Sequence, residues 1–155
     1  MANFISFQPS AHFNTKLYTG NYSTNAITGV GFQPDFTVLK QRDGADAWYN
    51  VDSVRGATKT IYWDVDTAEE TVASGLTSFD ADGFTVGANN AVNQNTADQL
   101  AYSWKMGTTS GLTGGTITPT AYSINTTAGQ SAIAFTGNCT NGATVPHGLG
   151  VAPRS

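Results

Sequence analysis

Two pairs of acids, Asp64 with Asp66 and Asp80 with Asp82, are the residues whose spacing comes closest to chemistry. Carboxylates two apart can both turn oxygens toward a hard cation such as calcium. Neither pair continues into a twelve-residue loop closed by a Glu, and Asp82-Gly83 already reads as turn chemistry. They stand as calcium candidates only; no metal and no cofactor is expected. As a glycosidase pair they are weaker still, because the separation across a site is not written in the sequence. A catalytic triad needs an oriented base. The two histidines are His12, in an irregular arm, and His147, in the turn Pro146-His147-Gly148, and neither adjoins a nucleophile elbow. Walker, dinucleotide and HExxH motifs are absent, and GLTGG at 111–115 lacks the Lys and helix of a phosphate loop. Cys139 stands alone, so an intrachain disulfide is excluded, and a small core residue is its expected role. The expectation is a protein without enzymatic activity.

Binding residues are easier to name. Aromatic faces stack on pyranose rings while amides take the hydroxyls, so Trp48 with Asn89, Asn90 and Asn93 of the polar stretch 88–98 form a candidate glycan contact. The same residue types are ordinary in sandwich loops and cores. Asp52 and Arg55, three apart with Gly56 behind, are expected to pair locally and pin a turn. The sequons at Asn21, Asn125 and Asn138 matter only on a secretory route. The opening MANFISFQPSAHF has neither the positive start nor the apolar core of a signal peptide.

These side chains must be positioned by strands. Charged residues are 12% of the 155 and there are 17 Gly, with Thr, Ala, Asn and Ser in surplus. That composition favours strands and turns over helix. The net charge of −4 argues against nucleic-acid binding, and no apolar run is long enough for membrane insertion. The run 36–41 is apolar on both faces, 48–51 and 59–63 are aromatic or β-branched, and 76–79 and 84–86 flank an Asp-Gly hairpin. Leu100, Tyr102, Trp104 and Met106 alternate with smaller residues, which predicts a half-buried strand with the large side chains inward. The fold expected is an all-β sandwich of jelly-roll or concanavalin-like type, with Phe36, Val38, Phe84, Tyr102 and Trp104 in one core. At most one short helix is allowed, at 67–74, where Thr67 and Glu70 match a capping box.

Thr19-Gly20-Asn21 recurs as Thr136-Gly137-Asn138, and Ala26, Gly31 and Pro34 find counterparts in Ala143, Gly148 and Pro153. The division this predicts is an arm at 1–15, which docks or frays, and a sandwich module at 16–106. A Gly/Thr-rich linker and extended segment follow at 107–129, then the opening of a second, incomplete module at 130–155.

FQPDFTVLKQRD, DSVRGATKTI, LTSFDADGFTVG and AYSWKMGTTSGLTGGTITPTAYSINTTAG, in this order, resemble a module of structural proteins of tailed bacteriophages, marine ones especially. There it occurs in tail-fibre-like and other virion proteins, often beside laminin-G/concanavalin-like domains. FTGN…HGLGVAPR is similar to the start of a sister module. The resemblance covers about residues 13–155 and implies a virion protein with no catalytic residues to carry over. Its expected role is a tail-fibre or adhesin subunit in host attachment. The alternatives are a capsid decoration protein stabilising the shell, or a carbohydrate-binding module. Expected partners are other virion proteins, a host surface glycan, and further copies of the chain, a trimer by analogy with fibres.

Overall fold

β-branched and aromatic runs punctuated by Gly, Asp and Asn make nearly every element of the computed structural model a strand; the structure describes residues 7–153. In chain order they are β1 (Phe13–Thr19), β2 (Asn25–Ile27), β3 (Phe36–Gln41), β4 (Tyr49–Asp52), β5 (Lys59–Tyr62), β6 (Glu70–Thr71), β7 (Leu76–Asp80) and β8 (Gly83–Val86). The short helix α1 (Asn90–Asn93), β9 (Asp98–Trp104), β10 (Ala121–Asn125) and β11 (Gln130–Ala134) follow, and a single 3-10 turn at Pro9–Ala11 precedes β1. A large antiparallel sheet runs β1-β9-β3-β4-β5-β6, a smaller one runs β2-β8-β7, and β10 pairs with β11 alone. This is the all-β sandwich that the strand pattern predicts.

The two sheets bury a common core. Leu39, Tyr49, Val51 and Ala101 of the large sheet meet Ile27, Leu76, Phe84 and Val86 of the small one, and Val30, Phe32 and Val92 close the sides. Two glycines are dictated by close approach. A Cβ on Gly83 would run into the carbonyl oxygen of Ile27, and one on Gly20 into that of Gln94. The Ala81-Asp82 hairpin forms as expected, with Asp80 opposite Gly83.

The predicted orientation of β9 is reversed. Gln99, Ala101 and Ser103 are the residues at 0% exposure, facing the core, while Leu100, Tyr102 and Trp104 lie half-buried on the opposite face. The register carries Phe36 to the outer face beside Trp104, and Val38 beside Tyr102. Of the five residues expected in one core, Phe84 alone belongs to the inter-sheet core; Val38 is buried, but from the outer side. The physical reason is room. Where Leu39, Tyr49 and Phe84 fill the inter-sheet space, β9 crosses it with Ala101 and Ser103, and close packing admits no second layer of rings.

The helix expected at 67–74 is replaced by β6, which pairs Thr71 with Lys59 and Glu70 with Thr60. Tertiary partners claim the acids that would have capped it. Glu69 bridges Arg55 at 3.2 Å and Lys59 at 3.7 Å, and Glu70 accepts from the Tyr62 hydroxyl at 3.1 Å. Helix propensity is too weak a preference to outweigh a strand pairing and these contacts.

The expected division points cut through paired elements. The 15/16 boundary falls inside β1, and the 129/130 boundary falls in the hairpin that joins β10 to β11. Residues 1–6 of the arm and Arg154 and Ser155 of the tail lie outside the described residues. Residues 135–153 contain no strand, and Cys139 is exposed at φ 54°, not a core residue.

Candidate binding face

The alternation along β1, β9 and β3 builds the site. Directly opposed residues in an antiparallel ladder share a face. Phe13 opposes Trp104, which opposes Phe36; Thr15, Tyr102 and Val38 form the next row, and Leu17, Leu100 and Lys40 the third. All nine are turned away from the core. Their rings form a continuous set, with centroids 5.0 Å apart for Phe13 and Trp104, 5.1 Å for Trp104 and Phe36, and 6.1 Å for Phe36 and Trp63. Tyr102 joins it through Phe13 and Trp104, at 6.2 and 6.3 Å. Trp63 is 62% exposed and Leu17 60%. Phe13, Phe36, Tyr102 and Trp104 are half-buried, so the apolar area this face leaves in water is mainly that of Trp63 and Leu17.

The hairpin β10–β11 and the tail border this face. Phe36, Trp104 and Met106 share an open cavity of about 480 Å³ with residues 129–132, Leu149 and Pro153. Asp52 also lines it, but its carboxylate is committed. Arg55 Nη2 lies 2.6 Å from it, Arg55 Nε donates to it at 2.7 Å, and the Arg55 backbone N–H donates at 2.8 Å. The local Asp52–Arg55 pair is thus present as the sequence predicts, and it braces the rim of the face.

Three of the four candidate acids are likewise occupied by their own chain, while Asp66 is exposed. Asp64 accepts from the Trp48 N–H at 3.0 Å. Asp80 accepts from Ser78 and Thr85 hydroxyls at 2.8 and 2.6 Å. Asp82 accepts from the Gly31 N–H at 2.6 Å and the Gly29 N–H at 2.9 Å, tying loop 28–33 to the hairpin. Among the described residues no three His, Cys, Asp or Glu side chains converge as metal ligands. His12 meets the Asn125 amide at 2.9 Å, and His147 Nδ1 accepts from the Leu149 N–H at 3.1 Å.

The Gly31 and Gly29 N–H groups, helped by the Lys16 charge, hold the Asp82 carboxyl below the ordinary carboxylate value. A depressed folded-state value stabilises above the unfolded one, and that contribution disappears as pH falls through the folded value. Asp82→Asn should therefore flatten the acid limb of the melting temperature between roughly pH 2 and 5. An acid limb unchanged in the variant would show that the carboxylate does not anchor this loop.

The four residues expected to contact glycan do not form one site. Asn93 is 0% exposed and its amide is saturated inside the chain. Burial without a free donor or acceptor rules it out as a ligand contact. Asn89 caps α1 by accepting from the Ala91 N–H at 2.9 Å, and Asn90 is exposed beside it. Half-buried Trp48 is tied instead to the residues that follow β5, through Asp64 and the Trp63 N–H. Sequence reasoning missed Phe13 and Trp63. Their signal was parity with Trp104 and Phe36 on neighbouring strands, legible only once the register is known.

Among the described residues no helix is long and apolar enough to cross a membrane. No curated protein and no solved structure matches the sequence. One family model does match, over residues 8–155, and its description is a domain of unknown function, DUF7483. The chain belongs to the DUF7483 family.

Proposed function

We propose that this protein is a non-enzymatic structural component of a tailed-phage virion, a tail-fibre or adhesin subunit. Its outer aromatic face is the surface that meets a host glycan. The observation that carries this reading is the linked set Phe13, Tyr102, Trp104, Phe36 and Trp63 on a face turned from the core. Sugar rings offer apolar C–H faces at the spacing of such a row, and stacking requires no movement of the rigid sheet beneath. The resemblance to virion modules supplies the context, and the hydrogen bonds that hold Asp52, Asp64, Asp80, Asp82, His12 and His147 favour surface work over covalent chemistry.

The experiment has two arms. Gold-labelled antibody against this chain should decorate tail fibres; label on the head would instead identify a decoration protein that stabilises the shell. Purified protein should bind host-cell polysaccharide in a pull-down, with retention falling at least severalfold in Trp63→Ala. Equal retention by wild type and variant would remove the aromatic face from the proposal.

A further inference from the structure

The edges of the sheets differ in a way that points to a partner. β6, one edge of the large sheet, has two residues and is flanked by Glu69 and Lys59. In the small sheet β2 has three residues and β7 carries a register shift between Leu76 and Ser78. Short strands, charges and bulges are the usual ways to stop edge-to-edge pairing. β1, the other edge of the large sheet, has seven residues in unbroken register with β9, contains no proline and carries one charge, Lys16.

Hydrogen-bond parity says which groups that edge offers. The Lys105 N–H donates to His12 and the Gly20 N–H to Ala97, so even-numbered residues of β1 face β9. On the far side of β9, Asp98 accepts from Arg42, which leaves the odd residues of β9 for β1 and confirms the assignment. Phe13, Thr15, Leu17 and Thr19 therefore turn their N–H and C=O groups outward. Thr15, Leu17 and Thr19 are also the exposed positions of the strand. The Thr15 N–H is met by the Asn14 side chain at 2.8 Å, and the Thr19 C=O by Asn25 at 3.2 Å.

We infer that β1 pairs antiparallel with β1 of a second copy, about a two-fold axis at Thr15. Three registers would use the outward groups, and the side chains choose between them. An axis at Lys16 sets the two Lys16 ammonium groups opposite each other, which is destabilising. An axis at Leu17 would have to displace Asn25 from Thr19 as well as Asn14 from Thr15. The axis at Thr15 displaces only Asn14. It opposes Thr15 to Thr15, sets each Phe13 against the other copy's Leu17 on the outer face, and sets Asn14 against Lys16 on the inner one. Aromatic–aliphatic and Thr–Thr pairs are favourable opposite pairs. Exposed Leu17 is then covered, and the aromatic face runs on from one copy into the other. The association is two-fold, unlike the three-fold packing expected by analogy with fibres.

The test uses the full chain with Cys139→Ser. Thr15→Cys should form an interchain disulfide on mild oxidation, because opposed hydrogen-bonded residues have Cα atoms about 5.5 Å apart. Leu17→Cys should not, since in this register it faces residue 13. Thr15→Pro removes an outward N–H and no rung of the β1–β9 ladder. It should weaken the dimer about tenfold or more by sedimentation while the far-ultraviolet circular dichroism stays unchanged. Leu17→Lys, at a position that is already exposed, should do the same. A wild-type chain that is monomeric at tens of micromolar, a trimer, or cross-linking through Leu17→Cys in place of Thr15→Cys would each overturn the assignment.

Discussion

Phe84→Ala is expected to lower the unfolding free energy by about 3–5 kcal/mol, the range for deleting a buried ring from a core that cannot collapse around the gap. Phe84 is fully buried in β8 between the sheets, opposite Ile27 and Phe79 in register, with the Tyr18 ring edge-on at 6.2 Å. Trp104→Ala, by contrast, should cost less. Its indole is half-buried on the outer face, so less apolar area is lost and water already reaches the site. Sequence patterning alone would assign Trp104 the larger value, because it expects the bulky residues of β9 to point inward. Urea unfolding of the two variants decides the matter. Equal losses would mean that the outer face is a second core and not a binding surface.

The reason for that reversal is general to strands. Alternation along 100–106 reveals the period, and with it the existence of β9, but either phase of a two-residue period satisfies it. The residue that breaks the tie is on another strand: Leu39 is apolar and fully buried, and its register partner is Ala101. Run 36–41 is apolar on both faces, so nothing local marked which face was inner. Hairpin 76–86 was legible because Asp-Gly chemistry acts within four residues. The local pair of Asp52 and Arg55 was legible for the same reason. Residues 67–74 misled because the partners that unmake the helix, Arg55, Lys59 and Tyr62, come from the preceding strand β5 and the turn before it, outside the span that a local capping pattern reads. The aromatic face gathers residues from positions 13, 36, 63, 102 and 104, so no motif could announce it.

Asn93 presents the same lesson as an energetic prediction. A polar stretch at 88–98 suggests loop residues free to bind, yet Asn93 Oδ1 accepts from the Asn21 N–H at 3.0 Å and from Asn25 Nδ2 at 3.1 Å. Its Nδ2 donates to Ser23 O at 2.6 Å, Gly87 O at 2.8 Å and Asn21 Oδ1 at 3.0 Å. The side chain thus joins loop 20–25, which lies against it, to the end of β8. Asn93→Ala leaves these groups without partners, and orphaned buried groups cost about 1–3 kcal/mol each. Several of the partners sit on exposed loop residues and regain water, so the net loss should be about 2–4 kcal/mol. Asn93→Asp separates the amide's role from its volume. It keeps the acceptor and replaces the donor with an oxygen that faces three other oxygens. That environment raises the pKa of the new carboxyl in the folded state above its unfolded value. A raised value stabilises below the unfolded pKa and is lost as pH rises through the folded one. The deficit of Asn93→Asp should therefore be at least that of Asn93→Ala at pH 7 and should shrink steadily toward pH 4. Melting temperatures of both variants across that range supply the check. A pH-independent deficit, or one smaller than that of alanine at pH 7, would mean that the Asn93 amide does not donate to Ser23 and Gly87, and the clamp would fall with it.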